Sequence, residues 1–342
     1  MNKPLIEAKD LTVRYTIGGG LLAKKVYLNA VDNISISIAK GNFFGLVGES
    51  GSGKTTLGRA LLRAAPISDG AVQYNDGEVQ YDLRNLSKQD LKEYRKRAQL
   101  IFQDPYAALS PRMTVRDIIA EPLEVMGLTK TREETDARVR EIAAKCRLNL
   151  EHLRRFPHAF SGGQRQRISI ARALVSGPRF IVADESVAAL DVSIQADVLN
   201  LLKAIQKDMG ISFLFISHDL SVVAHVCDHV AVMYLGQLVE TAPTRELFSR
   251  PRHPYTSALI SAIPPLDPDA PANVEKLEGE IPSPTKPPSG CKFHTRCRFA
   301  KDICKKDAPR LRPMGEERFV SCHFAEEFDF TRNSDAKAPA GT

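Results

Sequence analysis

Eight residues near the start of the chain have the types and order of a phosphate-binding loop. Gly48–Thr55 reads G-E-S-G-S-G-K-T, which fits the pattern G-x4-G-K-[ST]. The glycines allow tight turns that point backbone N–H groups at a phosphate, the lysine supplies positive charge, and the threonine hydroxyl can bind Mg²⁺. We therefore predict a nucleotide site formed by Gly48, Glu49, Ser50, Gly51, Ser52, Gly53, Lys54, Thr55 and Thr56.

An acidic pair at the end of a short apolar run favours the same chemistry. The run Phe180–Ala183 reads F-I-V-A, and Asp184 and Glu185 follow it directly. Behind a phosphate-binding loop, an aspartate in this place faces the magnesium ion. Glu185 is then placed to act as general base for the attacking water. Without such a loop, the pair would be interpreted as a solvated strand end.

Three further side chains are candidates for the nucleotide site. Gln103 stands at the end of a predicted strand, where its amide could reach the magnesium ion and the water. His218 follows an apolar strand and could contact the γ-phosphate, because ligands of α/β sheets bind at the carboxyl ends of the strands. Tyr15 could stack on an adenine ring.

A second glycine-led turn lies about a hundred positions further along. Ser161, Gly162, Gly163 and Gln164 open a predicted helix, with Ser161 as its cap. Its exposed N–H groups and the helix dipole favour a phosphate. Since one nucleotide does not need two γ-phosphate sites in one chain, we expect a head-to-tail dimer in which this turn completes the partner's site.

These residues require a sheet with helices on its faces. Strand and helix signals alternate at lengths that predict an α/β fold with a parallel sheet. Residues 5–15 and 33–38 predict antiparallel strands joined through a glycine-rich loop, and the mostly helical stretch 114–176 predicts an inserted subdomain. The predicted parallel strands are 43–47, 99–102, 180–183 and 211–217, and the flanking helices are 54–63 and 193–208.

The composition is ordinary for a soluble globular protein, which we expect in the cytoplasm because neither a membrane span nor a signal peptide is predicted. Of the 342 residues, 43% are hydrophobic and 26% charged, and the net charge is +6. No basic tract with interleaved aromatic residues is present, so we expect no nucleic-acid partner. No apolar run approaches the ~18 residues of a membrane span, and the charged start is no signal peptide. Any membrane role must come through a partner.

Four of the six cysteines lie close together near the end of the chain. Cys291, Cys297, Cys304 and Cys322 are separated by five, six and seventeen residues, after a proline-rich segment at 263–290. In a reducing compartment this cluster favours a metal over disulfides. The spacing fits neither a zinc ribbon nor a ferredoxin, so an iron–sulfur cluster, zinc and free thiols remain open. A bound metal would staple a module too small for its own core.

In this order the motifs resemble those of the ATP-binding-cassette (ABC) ATPases, over about residues 5–245. The resemblance implies a RecA-like α/β core with an antiparallel β-subdomain and a helical subdomain, and Mg²⁺-dependent ATP hydrolysis by two cassettes that close together. Two positions depart from the usual pattern, Ser186 in place of proline and Ala188 in place of serine. The matching motifs are Walker A at Gly48–Thr55, Walker B ending at Asp184 with the catalytic Glu185, the Q-loop at Gln103, the signature at Phe160–Gln164, the D-loop at Ala188–Asp191 and the switch histidine His218.

More narrowly, the chain is similar to ATP-binding subunits of oligopeptide and dipeptide importers. The similarity lies in residues 102–115, in the signature helix, in the D-loop and in R-H-P-Y-T at Arg252–Thr256. It implies a homologous second ATPase subunit in a heterodimer, two membrane permeases and an extracytoplasmic substrate-binding protein, with this chain on the cytoplasmic face of the inner membrane. Nickel and glutathione importers share this architecture.

The same resemblance implies cofactors for the end of the chain as well. Some similar subunits carry a [4Fe–4S] cluster there, beside the ATP and Mg²⁺ of the cassette. Residues 291–318 hold nine Lys or Arg against four Asp or Glu, which would offset the negative charge of a thiolate-bound cluster. We therefore expect an iron–sulfur cluster on Cys291, Cys297, Cys304 and Cys322.

Two other classes of ABC ATPase were weighed against the importer. A DNA-repair ATPase predicts long insertions and a basic face, and neither is found in the sequence. An accessory cassette of the carbon–phosphorus lyase type would lack the residues from Arg252 to Phe324. We expect a cassette at 4–250 with its helical subdomain at about 104–177, a C-terminal extension at 251–324, and a disordered tail at 325–342.

Overall fold

The computed structural model of the protein describes residues 3–17, 25–188, 190–263 and 277–331. The chain divides into two compact units that each collect separate segments. The first unit combines the chain up to Leu11 with Ser35–Phe44 and Leu57–Ile216, and the second combines Thr12–Ile34 and Gly45–Thr56 with the chain from Ser217 onward. Most of the predicted glycine-rich loop before residue 25 lies outside the described residues.

The strands follow the apolar runs of the sequence where both faces are buried. The strands in chain order are β1 (Ile6–Ile17), β2 (Val26–Ile38), β3 (Phe43–Val47), β4 (Asp69–Asn75), β5 (Gln80–Asp82), β6 (Ala98–Ile101), β7 (Phe180–Asp184), β8 (Ser212–Ile216), β9 (His229–Tyr234), β10 (Gln237–Pro243), β11 (Arg312–Pro313) and β12 (Phe319–Val320).

The first unit contains three of the parallel strands that the sequence predicts, β6, β7 and β8. β7 pairs in parallel with β6 on one side and with β8 on the other, with Phe180 opposite Ala98 and Ser212. All residues of β7 and β8 are buried, as expected for central parallel strands covered on both faces. The strand order β2-β1-β4-β5 forms a separate sheet, in which β4 and β5 are antiparallel.

Helices cover these strands and build the inserted subdomain. The helices are α1 (Lys54–Leu61), α2 (Lys88–Arg97), α3 (Pro105–Ala108), α4 (Val115–Met126), α5 (Arg132–Lys145), α6 (Gly162–Leu174), α7 (Val192–Met209), α8 (Leu220–Val226), α9 (Thr244–Ser249), α10 (Pro254–Ser261) and α11 (Asp302–Lys306). α4 packs on both α5 and α6. Thr114 caps α4, and Gly127 ends it in the left-handed conformation. None of the described helices is both long and apolar enough to cross a bilayer.

The second unit carries an antiparallel set of strands to which the extension adds. β10 pairs with β9 on one side and with the short strand β12 on the other, and β12 in turn pairs with β11. The register places Glu240 opposite Val320. The last strand of the extension is therefore hydrogen-bonded to a strand of the cassette sequence, so the two form one body within this unit.

The first residues of the predicted disordered tail are ordered. Ala325 is fully buried, and the rings of Phe328 and Phe330 lie 4.8 and 5.7 Å from the ring of Phe299. The prediction of disorder is therefore wrong for residues 325–331, because two phenylalanines in this polar stretch find a partner ring in the extension. The rest of the predicted tail, 332–342, lies outside the described residues.

Candidate nucleotide site

The phosphate-binding loop Gly48–Thr55 has the backbone that its glycines predict. Gly48, Gly51 and Gly53 have φ angles of 151°, 77° and 104°, in the region that other residues rarely adopt. A Cβ on Gly48 would overlap the carbonyl oxygen of Met233, and one on Gly53 would overlap that of Ala30. Gly48 and Gly53 are therefore required both by their φ angles and by the close approach of another backbone segment. Helix α1 begins directly after Gly53.

The lysine of this loop lies inside the curve of the backbone. Lys54 is only 5% exposed, and its Nζ donates to the carbonyl oxygens of Gly48 at 2.8 Å and Glu49 at 2.9 Å. Ser50 and Gly51 form an exposed rim, while Thr55 and Thr56 are half-buried at the start of α1. The positive charge and the N-terminus of α1 therefore lie close together in the chain, which suits a polyphosphate.

The first unit brings together two residues that the sequence predicted separately. Gln103 Nε2 donates to Glu185 Oε2 at 2.6 Å. Glu185 has a φ of 46°, and its backbone N–H donates to the carbonyl oxygen of Ile216. Asp184, at the end of β7, is buried. A non-glycine residue in this strained conformation is unusual, and such residues concentrate at functional sites.

The second glycine-led turn is a capped helix start. The Ser161 hydroxyl accepts from the N–H of Gln164, and the Gln164 side-chain oxygen accepts from the N–H of Ser161, which is a reciprocal capping box. Ser161 and Gln164 are exposed, whereas Gly163 is buried against Ile194. The predicted cap is confirmed, and its exposed polar groups are accessible to a second molecule.

Two predicted nucleotide contacts are accessible side chains of the second unit. Tyr15 lies on β1 with 36% of its surface exposed. His218 is exposed directly after the end of β8. Asp219 caps the next helix through its carboxylate, which accepts from the N–H of Ser221 at 2.9 Å. That cap anchors the backbone that follows His218.

Comparison with known proteins assigns these motifs to one family. Residues 31–188 match the family described as ABC transporter, and residues 239–304 match the family described as oligopeptide/dipeptide transporter, C-terminal region. The oligopeptide transport ATP-binding protein AppF of Bacillus subtilis is 46% identical over 323 residues, which are 93% of this chain and 97% of that protein. A Brucella ovis protein provisionally named as a peptide import ATP-binding protein is 48% identical over 319 residues, 93% of this chain and 97% of that protein. The chain belongs to the ATP-binding subunits of ABC transporters.

Solved structures agree with this assignment. The dimeric structure of a post-hydrolysis state of the ATP-binding cassette MJ0796, bound to ADP and Pi, is 25% identical with a TM-score of 0.61 and covers 70% of this chain and 99% of that one. The predicted α/β ABC ATPase fold is thereby confirmed. This ABC subunit is an ATPase with the oligopeptide/dipeptide type of C-terminal region.

The segment that follows Glu185 in this ABC subunit carries both departures from the usual pattern. Ser186 is buried, and Ala188 is exposed and donates its N–H to the carbonyl oxygen of Glu185 at 3.1 Å. Ala189 lies outside the described residues. The turn after the candidate catalytic glutamate is therefore closed by a backbone hydrogen bond that needs neither the usual proline nor the usual serine.

The four clustered cysteines share one small cavity in the second unit. Cys291, Cys297, Cys304 and Cys322 line it together with His253 and several phenylalanine rings, and its volume is about 20 Å³. Burial raises the pKa of the Cys291, Cys297 and Cys322 thiols to about 11. Within the described ranges, no group of three or more His, Cys, Asp or Glu side chains is arranged to hold a metal ion. The structure brings the four thiols around one cavity, and the iron–sulfur cluster stays a prediction.

Two residues of the extension contact the phosphate-binding loop and were not predicted to do so. Tyr255 and Arg296 both bind Glu49. Tyr255 belongs to the R-H-P-Y-T segment, which the sequence flags only by resemblance. No sequence motif marks Arg296, which directly precedes Cys297. Its partner Glu49 is 247 positions away along the chain, so the sequence does not indicate the contact.

Proposed function

We propose that this ATPase powers the import of di- or oligopeptides by hydrolysing ATP at the site built on Gly48–Thr55. The main support is the position of Lys54, which is enclosed by the phosphate-binding loop. At two positions of this loop, Gly48 and Gly53, any side chain would overlap a backbone oxygen. The match at 239–304 and the names of the relatives support the peptide class of substrate. An accessory cassette of the lyase type is less well supported, because it would lack this C-terminal region.

In the proposed reaction the loop holds the nucleotide. Lys54 and the backbone N–H groups bind the β- and γ-phosphates, and the Thr55 hydroxyl and Asp184 hold the magnesium ion, which neutralises phosphate charge. Gln103 is a further candidate to reach the ion. A water attacks the γ-phosphorus while Glu185 accepts its proton, and the products are ADP and inorganic phosphate.

The contact between Gln103 and Glu185 supports these roles. The amide N–H of Gln103 donates to the carboxylate and keeps one Glu185 oxygen fixed. His218 is proposed to contact the γ-phosphate and Tyr15 the adenine. The turn from Ser161 to Gln164 is proposed to bind the γ-phosphate held by the partner cassette, and its exposure supports that role.

The proposed assembly follows from the same relatives. We propose that the chain pairs with a homologous ATPase subunit as a heterodimer on two membrane permeases, at the cytoplasmic face of the inner membrane, and receives substrate from an extracytoplasmic binding protein. Membrane attachment is then peripheral and indirect. The exposed Ser161 and Gln164 of the signature turn and the accessible Ala188 of the D-loop supply surface that a second cassette would contact.

The test is transport by the reconstituted assembly. Proteoliposomes that contain the native complex should hydrolyse ATP faster when a di- or oligopeptide is added with the binding protein, and should accumulate that peptide. The matched control is the complex with Glu185→Gln in this subunit, which should bind ATP without accumulation. Stimulation by Ni²⁺ or glutathione with no response to peptides would contradict the peptide assignment and leave the ATPase intact.

We also propose that the four thiols bind a [4Fe–4S] cluster when the protein is made with iron available. Their shared cavity and the four-thiol donor set, which suits soft metals, support it. Protein purified without oxygen should contain about four irons and four acid-labile sulfides per chain. Cys297→Ser should abolish the iron, with Cys227→Ser as the control that leaves it. One zinc per chain, or no metal, would contradict the cluster.

A further inference from the structure

The second residue of the phosphate-binding loop is held by two side chains from the C-terminal extension. The backbone N–H of Glu49 donates to the Tyr255 hydroxyl at 3.0 Å. The Glu49 carboxylate accepts two hydrogen bonds from Arg296, at 2.7 Å to Oε2 and 3.0 Å to Oε1. A two-point guanidinium–carboxylate pair fixes orientation as well as distance. Main chain and side chain of Glu49 are therefore both restrained from outside the loop.

Arg296 is itself fixed before it reaches the loop. Its side chain is only 5% exposed, and its guanidinium lies 5.8 Å from the centre of the Tyr234 ring. That ring lies 4.8 Å from the ring of Tyr255 and 5.3 Å from that of Phe293. The three rings are buried. A guanidinium packed on this cluster has little freedom to turn away, so its pair with Glu49 is preorganised.

A second contact ties the same part of the extension to the cassette sequence. Lys292 Nζ donates to Asp32 Oδ2 at 2.7 Å and to the carbonyl oxygen of Leu235 at 2.8 Å. Both Lys292 and Arg296 lie between the first two clustered cysteines, Cys291 and Cys297. The fold of this short cysteine-bounded segment therefore determines where the guanidinium meets the loop.

Restraint of Glu49 affects the groups that bind phosphate. The Glu49 carbonyl oxygen accepts a hydrogen bond from Lys54 Nζ, so a displaced Glu49 would also move the surroundings of the lysine. An unpaired carboxylate beside the loop would in addition repel a polyphosphate. The pair with Arg296 neutralises that charge and holds it against the extension.

We propose that Arg296 and Tyr255 are positioning residues for the phosphate-binding loop. They act through Glu49, and their role is to keep the loop in the conformation that binds ATP. The proposal rests on the proposed binding of ATP by Gly48–Thr55. It assigns the extension a function inside the nucleotide site.

The test is ATP affinity of the full-length chain, measured with a fluorescent ATP analogue and Mg²⁺. Arg296→Ala should weaken binding by about tenfold, which corresponds to about 1.4 kcal/mol. Arg296→Lys should fall between wild type and Arg296→Ala, because an ammonium keeps the charge but loses the two-point geometry. In the assembled complex, the KM for ATP should rise while kcat stays within about twofold.

A double-mutant cycle tests whether Arg296 acts through Glu49. Glu49→Gln alone should weaken ATP binding, and the double variant Glu49→Gln, Arg296→Ala should bind ATP no more weakly than Arg296→Ala alone, because both changes break the same pair. If the losses of the two single variants add in the double variant, the action through Glu49 is refuted.

Arg318→Ala is the matched control within the extension. Arg318 is also buried, at 6% exposure, and donates to the carbonyl oxygen of Arg250, with its ion pair directed to Glu246. This variant should lower the melting temperature without weakening ATP binding. Equal loss in Arg318→Ala and Arg296→Ala, or none in Arg296→Ala, would overturn the inference. Undiminished binding in Lys54→Ala would instead overturn the proposed nucleotide site itself.

Discussion

Alanine substitution at Gly53 should damage the nucleotide site far more than the same change at Gly51. Both residues have positive φ angles, 104° and 77°, so each alanine carries backbone strain of about 1–2 kcal/mol. At Gly51 a new Cβ meets nothing within 4 Å. At Gly53 it would overlap the carbonyl oxygen of Ala30 and lie 2.7 Å from Met233 Cε. A backbone oxygen cannot turn aside, so the loop itself must shift.

The assay is denaturant unfolding together with ATP binding by the full-length variants. Gly51→Ala should lose about 1–2 kcal/mol of unfolding free energy, while Gly53→Ala should lose about 1–3 kcal/mol more, as is typical of overpacked sites. A displaced loop should also lose measurable ATP binding in Gly53→Ala, whereas Gly51→Ala should retain most of it. Equal stability and equal ATP affinity in the two variants would refute the steric argument.

Three further predictions concern catalysis, the partner cassette and pH. Glu185→Gln should keep ATP binding but lower ATP turnover by about 10²–10⁴-fold in a single-turnover assay, and near-normal turnover would contradict its role as base. Ser161→Arg should leave nucleotide affinity of the isolated subunit intact yet prevent ATP-dependent pairing of cassettes in size-exclusion chromatography; pairing at wild-type levels would contradict the shared site. Burial lowers the pKa of His253 to about 3, below the roughly 6.5 of an unfolded chain, so folding excludes a proton. Its contribution to stability should be complete above about pH 6.5 and lost progressively at lower pH, by up to about 1.4 kcal/mol per pH unit, and thermal unfolding of His253→Asn should lack that slope.

The position of the extension bears on how these variants are interpreted. Glu240 is fully buried on β10, and its carboxylate accepts from the backbone N–H groups of Arg252 and His253. This anchors the segment that carries Tyr255 just where α10 begins. A variant that breaks this anchor at Glu240 is therefore expected to reach the phosphate-binding loop through Tyr255, and stability must be measured alongside ATP affinity.

Local sequence determined the elements whose hydrogen bonds close over a few residues. The phosphate-binding loop follows from glycine conformations, and the start of α6 follows from a capping box between Ser161 and Gln164, three positions apart. The short, mostly apolar runs at β3, β7 and β8 were also predictable, because such runs are typical of strands that are buried on both faces. Motif order then sufficed to predict the ABC family.

Tertiary structure decided the strands whose residues are mostly polar. β4 reads D-G-A-V-Q-Y-N and buries only Val72 and Tyr74, too few for a clear alternation. β12 has just two residues, and it is extended because it pairs with β10 on one side and β11 on the other. Such strands form because they pair with a strand that is distant in the chain, and the local pattern of polar and apolar residues does not identify that partner.

The sequence by itself determined which residues could bind and hydrolyse ATP, because glycine, lysine and carboxylate chemistry is local to each motif. Only the tertiary structure joined Gln103 to Glu185, 82 positions apart, and Arg296 to Glu49, 247 positions apart. It also placed the four thiols around one cavity without forming a metal-binding group among the residues described. The physical reason is that an ion pair or a hydrogen bond requires two groups within about 3 Å, and for distant residues that separation is set by the packing of the elements between them.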